Sequence, residues 1–241
     1  MWIKWRDCHV RPEALERYRS GRSEWTALPG HPGLVGQVSA REPDGPRACV
    51  LDVWADEAAY LDFRDERNAA IDADQMGYAR FRMSEPAEDE PTPEQRYAVL
   101  ENAAGPTVLD IPGEAADLHE ALTRGTVLRV DDCRLHPGRE EHFLAALRSA
   151  RGLGSAAAGD LLGGVVARVV PDVFRDREHH LVVTLWAGPD AHRRYAEAGA
   201  GALTALDARA DRADRTADVR ERTGLVLPVE SDWQVLPRVW F

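Results

Sequence analysis

The chain has 241 residues, 44% of them hydrophobic and 29% charged, the balance of a globular protein with one large or two small domains. Its net charge of −11 argues against a polyanionic partner, because a nucleic-acid binder needs a Lys/Arg stripe to displace counterions and the sequence carries none. No apolar run approaches the roughly 20 residues that cross a bilayer, and Met1–Asp7 lacks the apolar core of a signal peptide, so a cytoplasmic protein without a membrane partner is expected.

The first strand is expected at Ile3–Val10, and Pro12, at a position that tolerates a missing N–H, opens a helix carrying Tyr18. A glycine-bearing strand, Leu34–Arg41, follows. The stretch 41–47, Arg-Glu-Pro-Asp-Gly-Pro-Arg, reads as a turn into the strand Cys49–Ala55. A second helix carries Phe63, nine residues past Trp54. The acidic, Pro-rich stretch 84–95 reads as an exposed loop, and Val99-Leu100 with Thr107–Leu109 as the closing strand. Pro112-Gly113 then opens a short helical stretch, Glu114–Thr123, ended by Gly125.

The same order then recurs. Leu128–Pro137 repeats the Asp-Cys-x-x-x-Pro frame of Ile3–Pro12, and a helix beginning at Pro137 carries Phe143 where the first carries Tyr18. Leu161–Arg168 matches Leu34–Arg41. After a longer turn, Pro171–Glu178, the strand Leu181–Ala187 matches Cys49–Ala55, and Tyr195 stands nine residues past Trp186. Asp207–Arg222 alternates acids and arginines and reads as a solvated helix face, before Val226-Leu227 and Gln234–Leu236.

Each copy therefore reads strand, helix, strand, strand, helix, strand. The expected fold is α+β: two tandem ferredoxin-like βαββαβ repeats packed sheet to sheet as an intramolecular α/β barrel, since the sheet face without helices must be covered. The repeats span 1–111 and 126–241, with 112–125 as linker, and one chain is expected to be a complete, monomeric barrel. Cys8, Cys49 and Cys133 form no CxxC pair and read as reduced, buried thiols. Lys4 is the only lysine, so Schiff-base chemistry has no other residue available.

The opening Trp2-Ile3-Lys4-Trp5, the helix end Glu24–Leu28, Gly33–Gln37, and Trp54 with Ala55–Tyr60 resemble an uncharacterised bacterial family of the dimeric α/β-barrel superfamily, here as a tandem fusion. That superfamily also holds antibiotic-biosynthesis monooxygenases and stress-responsive barrel proteins. The resemblance covers most of 1–111 and, more loosely, 126–241, where Ala150 and Gly164 replace the equivalents of Trp25 and Gln37. It implies a polar residue on strand one, a Trp on strand three and sometimes a His on the next helix.

On that pattern Asp7 and Asp132 are the strand-one candidates for a general base, sharing a strand face with Trp5 and Val130. Trp54 and Trp186 would stack a substrate, or serve only as core anchors. His192, six residues past Trp186 as Tyr60 is past Trp54, is the candidate acid/base or axial haem ligand. Tyr60, Trp5, His180 and His142 complete the candidate substrate contacts. His179 and His180 must point to opposite faces, and with no HxH, HxxxH or CxxC array no metal site is expected.

The expected function is a small-molecule pocket enzyme of bacterial secondary or stress metabolism. Its chemistry would be cofactor-independent and monooxygenase-like or isomerase/cyclase-like, on an apolar, aromatic or polyketide-like substrate, with the second copy the richer in titratable groups. A non-catalytic ligand-binding or stress-response barrel is the alternative, and haem is the one cofactor the resemblance leaves open.

Overall fold

The computed structural model describes residues 1–10, 16, 31–63, 100–149, 161–169, 178–198 and 218–236. The helix expected at Pro12, the 84–95 loop, Trp25, Ala150 and most of the Pro171–Glu178 turn lie outside the described residues. The chain divides into two compact units, Met1–Asn102 with Glu230–Phe241, and Ala103–Val229.

In the first unit β1 (Trp2–His9), β2 (Leu34–Arg41) and β3 (Arg47–Trp54) form an antiparallel sheet in the order β2-β3-β1. The helix α1 (Glu57–Asp62) follows β3 after two residues. Asp56 caps it, its carboxylate accepting from the Ala59 N–H at 2.9 Å, so the chain reverses immediately and lays Tyr60 back over the strand end. Gly33 has φ +85°, and a Cβ there would lie 2.5 Å from the Ala59 Cβ, so glycine lets the entry to β2 pass close under α1.

The strand β4 (Leu100–Pro112) starts in the first unit and runs into the second. There follow α2 (Leu118–Arg124), β5 (Val127–Leu135), α3 (Glu140–Ser149), β6 (Leu161–Val169), β7 (His179–Trp186), α4 (Pro189–Ala198) and β8 (Val219–Pro228). The second unit's sheet runs β4-β6-β7-β5-β8, antiparallel between β6, β7, β5 and β8 and between β4 and β6. From β5 to β8 this is the βαββαβ order of a ferredoxin-like fold. The molecule is thus α+β, built on two antiparallel sheets with helices, and no described helix is long and apolar enough to cross a membrane.

The two sheets share their register. Trp54 lies opposite Trp2 on β1 and Leu34 on β2, and Trp186 lies opposite Val127 on β5 and Leu161 on β6. Both second strands carry a bulge at the same point, between Leu34 and Gly36 and between Leu161 and Gly163. Both faces of the central strands β3 and β7 are buried, as Trp54 and Val53 show in one unit and Trp186 and Leu185 in the other.

The unit limits cut across the limits 1–111, 112–125 and 126–241 read from the sequence. The segment 108–112 pairs with β6, and Val235, after a 3-10 turn at Ser231–Trp233, pairs with Gln37 of β2. Each takes a strand edge that would otherwise leave N–H and C=O groups unpaired. The linker helix begins at Leu118 rather than Glu114, because the N–H groups of Glu114 and Ala115 bond to the carbonyls of Leu161 and Leu162, and Asp117 supplies the cap. Pro137 opens a turn, with Gly138 at φ +75°, and α3 starts at Glu140. Residues 219–222 are strand rather than helix: their alternating charges suit a period of two on an edge strand, and Arg222 turns to a buried carboxylate.

Gly164 lies against β7, where a Cβ would stand 2.0 Å from the Val183 carbonyl oxygen, an atom fixed by the sheet. Gly164→Ala should lower the unfolding free energy by about 1–3 kcal/mol through overpacking, measured by chemical denaturation.

Candidate functional site

Direct cross-strand partners share a face, so the registers sort every candidate. On the face that carries α1 stand Trp2, Lys4 and Arg6 of β1, Gln37 and Ser39 of β2, and Asp52 and Trp54 of β3. Tyr60 and Phe63 reach down onto it. The Trp54 ring lies 4.9 Å from Phe63 and 6.1 Å from Tyr60, Trp2 stacks on Tyr60 at 6.1 Å, and His31 meets Trp54 edge-on at 5.8 Å. Lys4 places its ammonium 5.5 Å from the Tyr60 ring centroid, a cation–π contact in a buried setting.

A polar strip runs beneath these rings. Asp52, 2% exposed, accepts from Gln37 Nε2 at 2.6 Å and from Arg6 at 3.4 Å. Three further polar atoms on this face are buried and have no hydrogen-bond partner among the described residues: Trp2 Nε1, Trp54 Nε1 and Ser39 Oγ. His31 Nδ1 lies 2.8 Å from the Pro32 carbonyl, which requires an N–H at Nδ1 and leaves Nε2 as the acceptor of the neutral ring.

The second unit answers position by position with different chemistry. Trp186 packs 4.6 Å from Tyr195 and meets His192 edge-on at 5.3 Å, and Trp186 Nε1 donates to Thr184 Oγ1 at 3.1 Å. Thr184 stands where Asp52 stands in the first unit. Arg129, the counterpart of Lys4, donates to Asp131 at 2.9 Å, and Arg222 donates to the other Asp131 oxygen at 2.6 Å. The rest of this face is apolar core, including Phe143, Leu161, Val166 and Val182.

The strand-one aspartates do not join either tryptophan. Asp7 lies opposite Cys49, on the face of Trp5, and receives two hydrogen bonds from Arg47 at 3.0 and 2.5 Å. Asp132 lies opposite Leu181 and pairs with His179. Strand alternation puts both on the face away from Trp54 and Trp186, so Asp132 and His192 do not form a pair, and Trp5 is core on that same far face. His180 shares the face of Trp186, but its Nε2 is bonded to Glu140 at 3.1 Å and its ring packs on Phe143. His142 is exposed on α3 and bonded to Asp218 at 2.6 Å. His192 Nε2 is buried, so ligating a haem iron would require the ring to turn away from Trp186.

Sequence reasoning named Trp54 with Tyr60 and Trp186 with His192, whose rings the structure brings together, and assigned no place in the site to Gln37, Asp52, Arg129 or Asp131. Their signal was present: polar residues two apart, Gln37 and Ser39 on β2 and Arg129 and Asp131 on β5, and Asp52 and Thr184 each two residues before the tryptophan. Cys49 and Cys133 are buried thiols, and burial pushes the Cys133 thiol up, away from nucleophilic use. Among the described residues no cluster of three His, Cys, Asp or Glu side chains could hold a metal ion.

A family model described as a domain of unknown function, DUF4937, matches residues 2–84. No curated protein matches the chain. Among solved structures it is similar to a candidate monooxygenase from Fusobacterium nucleatum (11% identity, 95% of this chain and 91% of that one, TM-score 0.62). A candidate monooxygenase from Lactobacillus acidophilus is similar at 11% identity, 98% and 95% coverage and TM-score 0.59. An anthrone oxidase-like protein is similar at 10% identity, 95% and 91% coverage and TM-score 0.58. These likenesses establish a shared ferredoxin-like fold.

Thr184→Val is nearly isosteric and removes the acceptor of a buried indole N–H, so it should cost about 1–3 kcal/mol of stability in denaturant unfolding. Burial pushes the Glu140 carboxyl up, but the His180 and Arg168 hydrogen bonds and charges outweigh it and hold the group below the usual carboxylate range. A lowered folded pKa gives stability that is present above the unfolded value of about 4.5 and is lost as pH falls through the folded one. Glu140→Gln should therefore lower the melting temperature at pH 7 and flatten its decline below about pH 4.5, as followed by thermal melts across pH.

Proposed function

We propose that the chain is a small-molecule pocket enzyme that takes an apolar, aromatic or polyketide-like substrate. Its chemistry would be cofactor-independent and monooxygenase-like or isomerase/cyclase-like. The observation that carries this reading is the set of rings from Trp2, Trp54, Tyr60, Phe63 and His31, gathered over a buried polar strip on one sheet face. Rings in that number give a planar substrate area to stack on, and the strip gives it polar atoms to be oriented by. In this reading His31 Nε2 takes or returns the proton. The similarity of fold to candidate monooxygenases agrees with this but does not by itself assign a reaction.

A second reading puts the chemistry at Trp186 and His192, favoured by their edge-on contact at 5.3 Å. Asp132 and Asp7 have no part in either reading, since they stand on the far faces. The proposal also makes one chain a duplicated, self-contained barrel.

Native mass spectrometry of the protein purified from its own host should give a species of 26.7 kDa carrying an added small organic mass. A bare species that also shows no saturable binding of aromatic compounds would overturn the pocket reading, and a bare dimer would overturn the self-contained barrel.

A further inference from the structure

The two units are superimposable in register, and they differ at the three positions where the first holds an unmatched polar atom. Trp54 Nε1 has no partner among the described residues, whereas Trp186 Nε1 is capped by Thr184. Trp2 Nε1 has none, and its counterpart, opposite Trp186, is Val127. Ser39 Oγ has none; Ser39 lies opposite Val50, and the corresponding pair in the second unit is Val166 and Val182.

An unmet buried hydrogen-bonding group is costly, and most buried polar atoms in folded proteins are paired. Trp2 and Trp54 lie directly opposite one another, so two unmet indole donors, each replaced by an apolar or a satisfied group in the other unit, are a cost concentrated at one end of the sheet. Trp2 and Trp54 are 4% and 2% exposed, and both flank the Tyr60 ring. An indole N–H can only donate, so what it lacks is an acceptor.

From this we infer that the first unit, not the second, holds the ligand, and that the ligand is a planar aromatic molecule presenting a carbonyl or phenolic oxygen to Trp2 and Trp54. This rests on the pocket reading above and names its substrate class. The ring stacks against the aromatic cluster while its oxygen accepts from the indole N–H groups. In the second unit the corresponding indole is satisfied by Thr184 and has no donor to offer.

The test is a matched pair of probes differing by one carbonyl, 1-tetralone and tetralin, with dissociation constants from equilibrium dialysis of the full chain. The ketone should bind about tenfold tighter than the hydrocarbon, the gain of one well-placed hydrogen bond in a buried site. Trp54→Phe and Trp2→Phe keep an aromatic ring and lose the donor, so each should pull the ratio toward one. Should Trp54→Phe not fold, Trp2→Phe carries the test alone. A ratio near one in the unaltered protein overturns the inference while tetralin binding upholds the pocket. A ratio that survives in the folded variants overturns it as well, and failure of both probes to bind overturns the inference and the pocket reading together.

Discussion

A polar side chain on a strand buried on both faces costs free energy unless it finds a partner, and that cost organises both units of this protein. Apolar residues fill the helix-free faces without difficulty, with Ile3, Leu51 and Val53 in one unit and Leu128, Val183 and Leu185 in the other. On the helix-bearing faces each strand brings charged groups inward, and nearly all the chemistry of the molecule lies in how they are matched.

The units solve this differently on the same scaffold. In the second, Asp131 sits between Arg129 and Arg222, Thr184 caps Trp186, and Gly224 leaves the room that the Asp131 carboxylate occupies, a Cβ there coming within 3.0 Å of its oxygen. In the first, Asp52 gathers Gln37 and Arg6, which leaves the indole of Trp54 unanswered. One exchange, Asp52 for Thr184 two residues before the tryptophan, accounts for much of the difference: a hydroxyl on a short side chain can serve the indole, while the carboxylate is engaged by its cross-strand neighbours.

Local structure was legible wherever a residue type has a direct physical consequence. The aromatic nine residues past each tryptophan returns to it, because strand, tight turn and helix leave little freedom between them. Legibility failed where a charge pattern suited two periods at once. The arginines and acids of 219–222 read as helix, and pairing of that segment with Cys133–Leu135 made it strand. Asp7 and Asp132 were legible as strand residues facing Trp5 and Val130, yet their distance from the tryptophans follows only once the register fixes which face the helices cover.

By itself the sequence determined the order of elements, the alternation of faces, the position of Trp54 and Trp186 at the ends of their strands, and the pairing of each with an aromatic on the next helix. These are consequences of chain connectivity and short-range geometry. Tertiary structure alone decided which buried polar groups find partners: Asp52 with Gln37, Asp131 with Arg222, Trp186 with Thr184, and Trp2, Trp54 and Ser39 with none among the described residues. Most of those pairings join residues distant along the chain, so they exist only after the strands have taken their register.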